Sequence, residues 1–217
     1  MIIDAFFILP FFCMVIIKPF KYMKNPLFLF IAAAALLIST ANHAQTVFKV
    51  CCLNNAEMKL KGTSTLHDWE MQTSNFKGEA GFTLGELNNE LKALSMLTFT
   101  VPVENLKSDK KKLDETAYKA LKASEHREIE FALTSAVIKP IQKDKYMIVA
   151  SGNLNIAGVT QVVTMMVSCL VNPDKSLTCT GSKKLKMSDF KVAPPSFLGF
   201  MKTGDEIAIE FTFQLKS

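Results

Sequence analysis

Arginine is almost missing from this chain of 217 residues: Arg127 stands alone among 25 basic side chains. Proteins that read nucleic acid rely on guanidinium groups for phosphates and base edges. The formal charge of +5 therefore does not point to a nucleic-acid partner. Histidine is scarce as well, with His43, His67 and His126 in unrelated contexts. There is no Gly-x-Ser-x-Gly, no His-Glu-x-x-His and no phosphate loop, so neither a hydrolase triad nor a metallohydrolase centre is expected. Of five cysteines, none are spaced Cys-x₂₋₄-Cys, which removes the usual zinc scaffolds. The chain reads as a non-enzyme with no metal and no cofactor. A single tryptophan, Trp69, contrasts with 17 phenylalanines.

Long apolar runs occur only at the N-terminus. Leu27 to Ile38 is a short apolar run, preceded by Lys24 and followed by small and polar residues to Gln45. That order describes a secretory signal peptide, too short to span a bilayer well, with cleavage after Ala41 or Ala44. A second run, Ala5 to Ile17, is broken by Pro10 and carries Asp4. Residues 1–22 read as an over-extended start or a long n-region, with an uncleaved membrane anchor as the rival. No lipobox precedes Cys51. The chain thus divides into an extension and signal peptide over 1–44 and one domain over 45–217, long enough for a real core. The expected location is periplasmic or secreted.

The domain alternates. His67, Trp69 and Met71 share one strand face, and Phe76, Gly78, Ala80, Phe82 and Leu84 another, so a hairpin turning at Thr73–Asn75 is expected. Gly78 and Gly81 invite a bend in that sheet. Leu97, Phe99, Val101 and Val103 line one face of a long strand that ends near Pro102. Further strands follow with Ile129, Phe131, Leu133 and Val137, with Tyr146 to Ile156, and with Gln161 to Val171, apolar on both faces. The last has Ile207, Ile209, Phe211, Phe213 and Leu215 on one side. One helix interrupts them. Ser108-Asp109 offers a cap, and Leu113, Ala117, Ala120 and Leu121 recur at helical spacing. Lys110, Lys111 and Lys112 read as its solvated face, although cations at a helix start oppose the dipole. About eight strands with short turns make an all-β antiparallel fold. It closes into a barrel or folds as a two-sheet sandwich.

Cys169 and Cys179 flank the turn Asn172–Ser176 symmetrically, which places them opposite each other on a hairpin. In an exported protein they are expected to form a disulfide. Cys51 and Cys52 are adjacent, and the sequence assigns them no partner.

In this order the motifs resemble the YceI-like family of exported bacterial proteins. The matching stretches are Gly62 to Trp69, Asn75 to Phe82, and Val101-Pro102-Val103-Glu104-Asn105-Leu106. They continue with the Lys-rich helix leading to His126–Phe131, with Gly152 to Thr160, and with Met201 to Ile209. His126-Arg127 departs from the proline turn usual there. The resemblance implies a lipocalin-like eight-stranded barrel with one short helix, binding a long isoprenoid or similar amphiphilic lipid inside, without catalysis. It also permits a homodimer and transient membrane contact.

On this reading the ligand-binding candidates are His67, Trp69, Phe76, Phe82, Phe99, Phe131, Phe197, Phe200, Phe211 and Phe213. Trp69 either lines a pocket or belongs to ordinary core. His67 either meets a ligand headgroup at the cavity mouth or is a hydrogen-bonded strand histidine. Phe197, Leu198 and Phe200, held by Pro194-Pro195, either form a lid or cap the barrel end. The expected function is sequestration of an apolar molecule in the cell envelope. The alternative is a structural or stress-related envelope protein whose barrel is plugged by its own side chains.

Overall fold

The alternation of apolar and polar residues produces strands with one wet and one buried face, and these pair around a ring. A computed structural model describes residues 45–51, 56–85, 90–197 and 201–217. The segment read as a targeting sequence, together with Cys52, Leu198 and Phe200, lies outside the described residues. The strands are β1 (Gln45–Cys51), β2 (Glu57–Ser64), β3 (Trp69–Thr73), β4 (Lys77–Leu84), β5 (Leu91–Pro102) and β6 (Glu128–Gln142). They continue with β7 (Lys145–Ile156), β8 (Val159–Val171), β9 (Leu177–Lys186), β10 (Ser196–Phe197) and β11 (Met201–Lys216). Helix α1 (Lys111–Ala120) lies between β5 and β6, and short 3₁₀ turns occupy Val103–Asn105 and Met187–Phe190.

Eight strands close the ring in the order β1-β4-β5-β6-β7-β8-β9-β11, with β1 meeting β11. Every pairing is antiparallel. The fold is a lipocalin-like antiparallel barrel, and the sandwich alternative falls away. β11 carries the closure. One edge pairs with β9 from Glu206 to Leu215. The other edge is shared, with β2 taking Thr203 to Thr212 and β1 taking Gln214 to Lys216. The β2–β3 hairpin therefore continues the wall where β1 ends.

That arrangement corrects the expected hairpin. The chain reverses at Thr65–Asp68, before Trp69, and not at Thr73–Asn75. The Ser64 hydroxyl accepts the N–H groups of Leu66 and His67 and donates to the His67 carbonyl at 2.6 Å, which fixes a tight turn. Gly62 then faces Trp69 across the β2–β3 ladder. β4 pairs with β1 and β5 instead of β3. His67 consequently sits in the turn, outside the strand face that alternation gave it.

A second correction concerns β6. A register shift between Leu133 and Ser135 adds a residue to this strand opposite β7. A one-residue shift exchanges the faces. Phe131 is buried, while Val137 turns outward at 54% exposure, and Ala136 and Ile138 take the inward places. A comparable shift at Gly81/Phe82 leaves Ser95 of β5 as an extra residue opposite β4. β8 is apolar on both faces, as expected: Val163 and Val167 are buried, whereas Val162 and Met166 are 74% and 65% exposed.

α1 is amphipathic as its spacing required, but Lys110 caps it, with no side-chain cap bond. Ser108 is engaged differently: its N–H and hydroxyl both donate to the Asp114 carboxylate, at 2.8 and 2.6 Å. Asp114 thus brings a negative charge into the first turn, where the helix dipole favours it. The Tyr118 hydroxyl donates to the Leu106 carbonyl at 2.7 Å and fastens the helix to the segment after β5.

Cys169 and Cys179 are directly opposite on β8 and β9, with Cα atoms 4.3 Å apart, and form a disulfide. The turn between them is held by Asp174, whose carboxylate accepts from the Ser176 hydroxyl and N–H. These bonds, the hydroxyl first, hold Asp174 below the ordinary carboxylate value of 3.8. Their contribution is therefore complete above that value and fades only as pH falls below it. The disulfide closes a short loop, so its removal should lower stability by about 2–3 kcal/mol in the chain-entropy picture. Urea unfolding with and without reductant measures this; coincident curves would show that the strand ladder alone sets the stability.

Candidate functional site

The inward faces of the ring enclose a lumen that widens toward one end. The wide part, of about 440 Å³, is the mouth. Trp69 and Met71 of β3, Leu60 and Ser64 of β2, and His67 of the turn form one side. The apolar stripe of α1 (Leu113, Ala117, Ala120 and Leu121) forms another. Met187, Phe190, Val192 and Pro195 complete the rim. Below it lies a narrower chamber of about 110 Å³, lined by Phe82, Phe99, Phe131, Phe211 and Phe213 and by the disulfide cysteines. Met58, Val101, Ile129 and Ile209 line both spaces and so form the neck between them.

Aromatic side chains fill this interior without closing it, and the ladder shows why. Phe99 lies directly across from Gly78, and Phe211 across from Gly181. A Cβ on Gly78 would lie 2.5 Å from the Phe99 ring, and one on Gly181 2.5 Å from the Phe211 ring. The rings therefore lie back over the backbone instead of crossing the lumen. Farther in they pack on each other. Phe99 and Phe213 have centroids 4.7 Å apart, Phe211 stacks on Phe213 at 5.6 Å, and Phe76 meets Phe99 and Phe213, each at 6.2 Å. Such pairs add roughly 0.5–1.5 kcal/mol each beyond their burial.

The sequence candidates separate accordingly. His67 and Trp69 line the mouth, and Phe82, Phe99, Phe131, Phe211 and Phe213 line the deep chamber. Phe76 is buried against Phe99 and Phe213 and belongs to the packed wall. Phe197 falls on β10, paired with Met201, and Phe200 lies outside the described residues. Trp69 is half-buried and donates its indole N–H to the Thr63 carbonyl at 3.3 Å. Lys110 and Lys112, read from sequence as a solvated face, reach the mouth. Helical spacing marked the apolar stripe but could not show that the helix start overhangs an opening. The rim is braced by Asp205, whose carboxylate accepts from the Ser188 hydroxyl at 2.6 Å and N–H at 2.8 Å. The hydroxyl bond and then the N–H hold its pKa below the ordinary value. Among the described residues no cluster of three or more His, Cys, Asp or Glu is placed to hold a metal ion.

Residues 40–215 match the YceI-like domain. The chain belongs to the YceI-like family. Solved structures share its fold. BcnA of Burkholderia cenocepacia aligns with a TM-score of 0.60 at 18% identity, covering 76% of this chain and 99% of its own. A polyisoprenoid-binding domain from Saccharophagus degradans, implicated in plant cell wall breakdown, aligns with a TM-score of 0.58 at 7% identity. That alignment covers 78% of this chain and 98% of the domain. No curated protein matches this YceI-like chain.

Gly62 is the point at which the mouth can be perturbed alone. Its missing side chain is the space the Trp69 ring occupies, and a Cβ there would overlap the indole. Gly62→Val should expel the ring from its seat, shift the emission of the only tryptophan, and lower stability by about 1–3 kcal/mol. Intrinsic fluorescence with urea unfolding reads both effects. An unchanged spectrum would mean that the indole does not rest on Gly62.

Proposed function

We propose that this YceI-like protein is an exported carrier or buffer for an isoprenoid or similar long amphiphile, held inside the barrel. The observation that supports this most directly is the pair of apolar cavities, the mouth and the phenylalanine-lined chamber, that share Met58, Val101, Ile129 and Ile209 as walls. A cavity of several hundred Å³ with apolar walls and a few polar groups at one end suits a lipid more than a polar metabolite. Burial of an alkyl or prenyl tail contributes about 25 cal/mol per Å² removed from water, so affinity needs few polar contacts. Membership of the YceI-like family and the fold shared with a polyisoprenoid-binding domain support the same reading. The mechanism is sequestration, with no chemical step. The N-terminal pattern of short apolar run and small residues supports export to the periplasm, and the domain responsible is residues 45–217.

The packed rings of Phe76, Phe99 and Phe213 favour a second reading, in which the lower barrel is filled by its own side chains and the protein is structural. Native mass spectrometry of protein purified from its own envelope, followed by organic extraction, separates the two. The carrier reading expects a stoichiometric apolar mass that leaves on extraction. A clean apo mass, with no uptake of added polyprenyl or quinone lipids, favours the structural barrel. A variant sharpens the test. Ile129 stands at the neck, and Ile129→Trp should weaken binding of long prenyl chains at least about tenfold while leaving short amphiphiles that fit the mouth unaffected. Equal losses for both lengths would mean that the neck is not the path of the tail.

A further inference from the structure

One side chain on the wall of the deep chamber does not share its chemistry. Among the described residues the lining is aliphatic, aromatic, thioether or disulfide, except for Lys183 of β9. The alternation of β9 puts it there. Leu177, Cys179 and Leu185 share its face and are buried, while Ser182 and Lys184 point the other way and are exposed. A leucine in this place would continue the apolar wall, and a cation on such a wall is costly unless it is paired.

The described residues supply no such pair: the Lys183 side chain makes neither an ion pair nor a hydrogen bond with any of them. Opposite it on β11 stands Ile209. The carboxylates of that stretch, Glu206 and Glu210, alternate onto the other face and bond to Lys184 at 2.8 Å and Lys61 at 2.7 Å. On its other side the β8–β9 ladder ends at Met166–Ser182, one pair short of Lys183. The wall at Lys183 is thus paired along one edge only, with the chamber beside it. A residue that breaks the pattern of its strand without a compensating contact is where function is expected.

We propose that Lys183 is the headgroup contact of the lumen, with a carboxylate or phosphate oxygen of the amphiphile on its ammonium. The polar end then lies inside the barrel wall, level with Ile209 at the neck. The proposal rests on the carrier reading above and adds where the head sits and what it carries. An ammonium has donors only, so it selects an oxygen acceptor, and a charged acceptor gains most. The apolar walls around the pair strengthen that attraction relative to one in water.

Isothermal titration of the purified protein with tail-matched pairs tests this: dodecanoate against dodecanol, and farnesyl phosphate against farnesol. In at least one pair the anion should bind about tenfold more tightly than its alcohol. The preference should persist at about 0.5 M salt, because a pair inside the barrel is screened less than one on the surface. Lys183→Met keeps a long side chain on the wall. It should abolish the preference, retain the alcohol's affinity, and unfold at the same or a higher urea concentration. Lys184→Gln, one residue along and on the outer face, should leave the preference intact. Equal binding of anion and alcohol in both pairs overturns the proposal and leaves the carrier reading standing. A preference that survives Lys183→Met also overturns it, since the lysine stem would then only fill the wall while its head reaches water. Earlier unfolding of Lys183→Met would reveal a structural role for the ammonium and overturn it too. Loss of the preference in Lys184→Gln, or at high salt, would move the head to the outer surface and end the assignment. Absence of binding by all four compounds removes the carrier reading and the proposal together.

Discussion

The backbone ladder along β11 is the interaction on which the rest of the molecule depends. One strand pairs with β9 on one side and divides its other side between β2 and β1. The three pairs at Lys49–Cys51 turn an open sheet into a ring, and closure removes the exposed edges that invite aggregation. Because β1 uses only the last residues of β11, the remaining edge is available to the β2–β3 hairpin. That hairpin carries His67 and Trp69 to the rim. The same choice of partners that closes the barrel therefore also builds its opening.

Much of this was written in the pattern of residues. Ile207, Ile209, Phe211, Phe213 and Leu215 alternate along β11 and all face inward, and the symmetric placement of Cys169 and Cys179 about a turn was enough to pair them. The failures have local causes. Alternation from His67 to Met71 looked like one strand because periodicity cannot register the Ser64 hydroxyl, which reverses the chain at Thr65–Asp68, well before the polar Thr73–Asn75 segment that suggested the turn. Val137 was assigned to the inside because an extra residue near Ser135 leaves no trace in composition. The lysines at the start of α1 were legible as an electrostatic oddity, but only the tertiary position of the helix places Lys110 and Lys112 at the mouth.

The glycines explain how a barrel so rich in phenylalanine keeps a lumen. A flat ring opposite a residue with no side chain can lie against the wall, and the direct pairs Gly78–Phe99 and Gly181–Phe211 do this on different sides of the barrel. Where no glycine lies opposite, as for Phe213, the ring meets other rings and narrows the space. The taper from mouth to floor follows from that distribution and not from strand number, which is constant around the ring.

The neck formed by Met58, Val101, Ile129 and Ile209 also bears on time. On the carrier reading, a chain threaded past it must withdraw its whole length through this constriction. Each methylene re-exposed to water adds about 0.8 kcal/mol to the escape barrier, roughly a fourfold longer residence. Entry carries no such dependence on length. On the carrier reading, a barrel of this shape would sort amphiphiles by how slowly they leave.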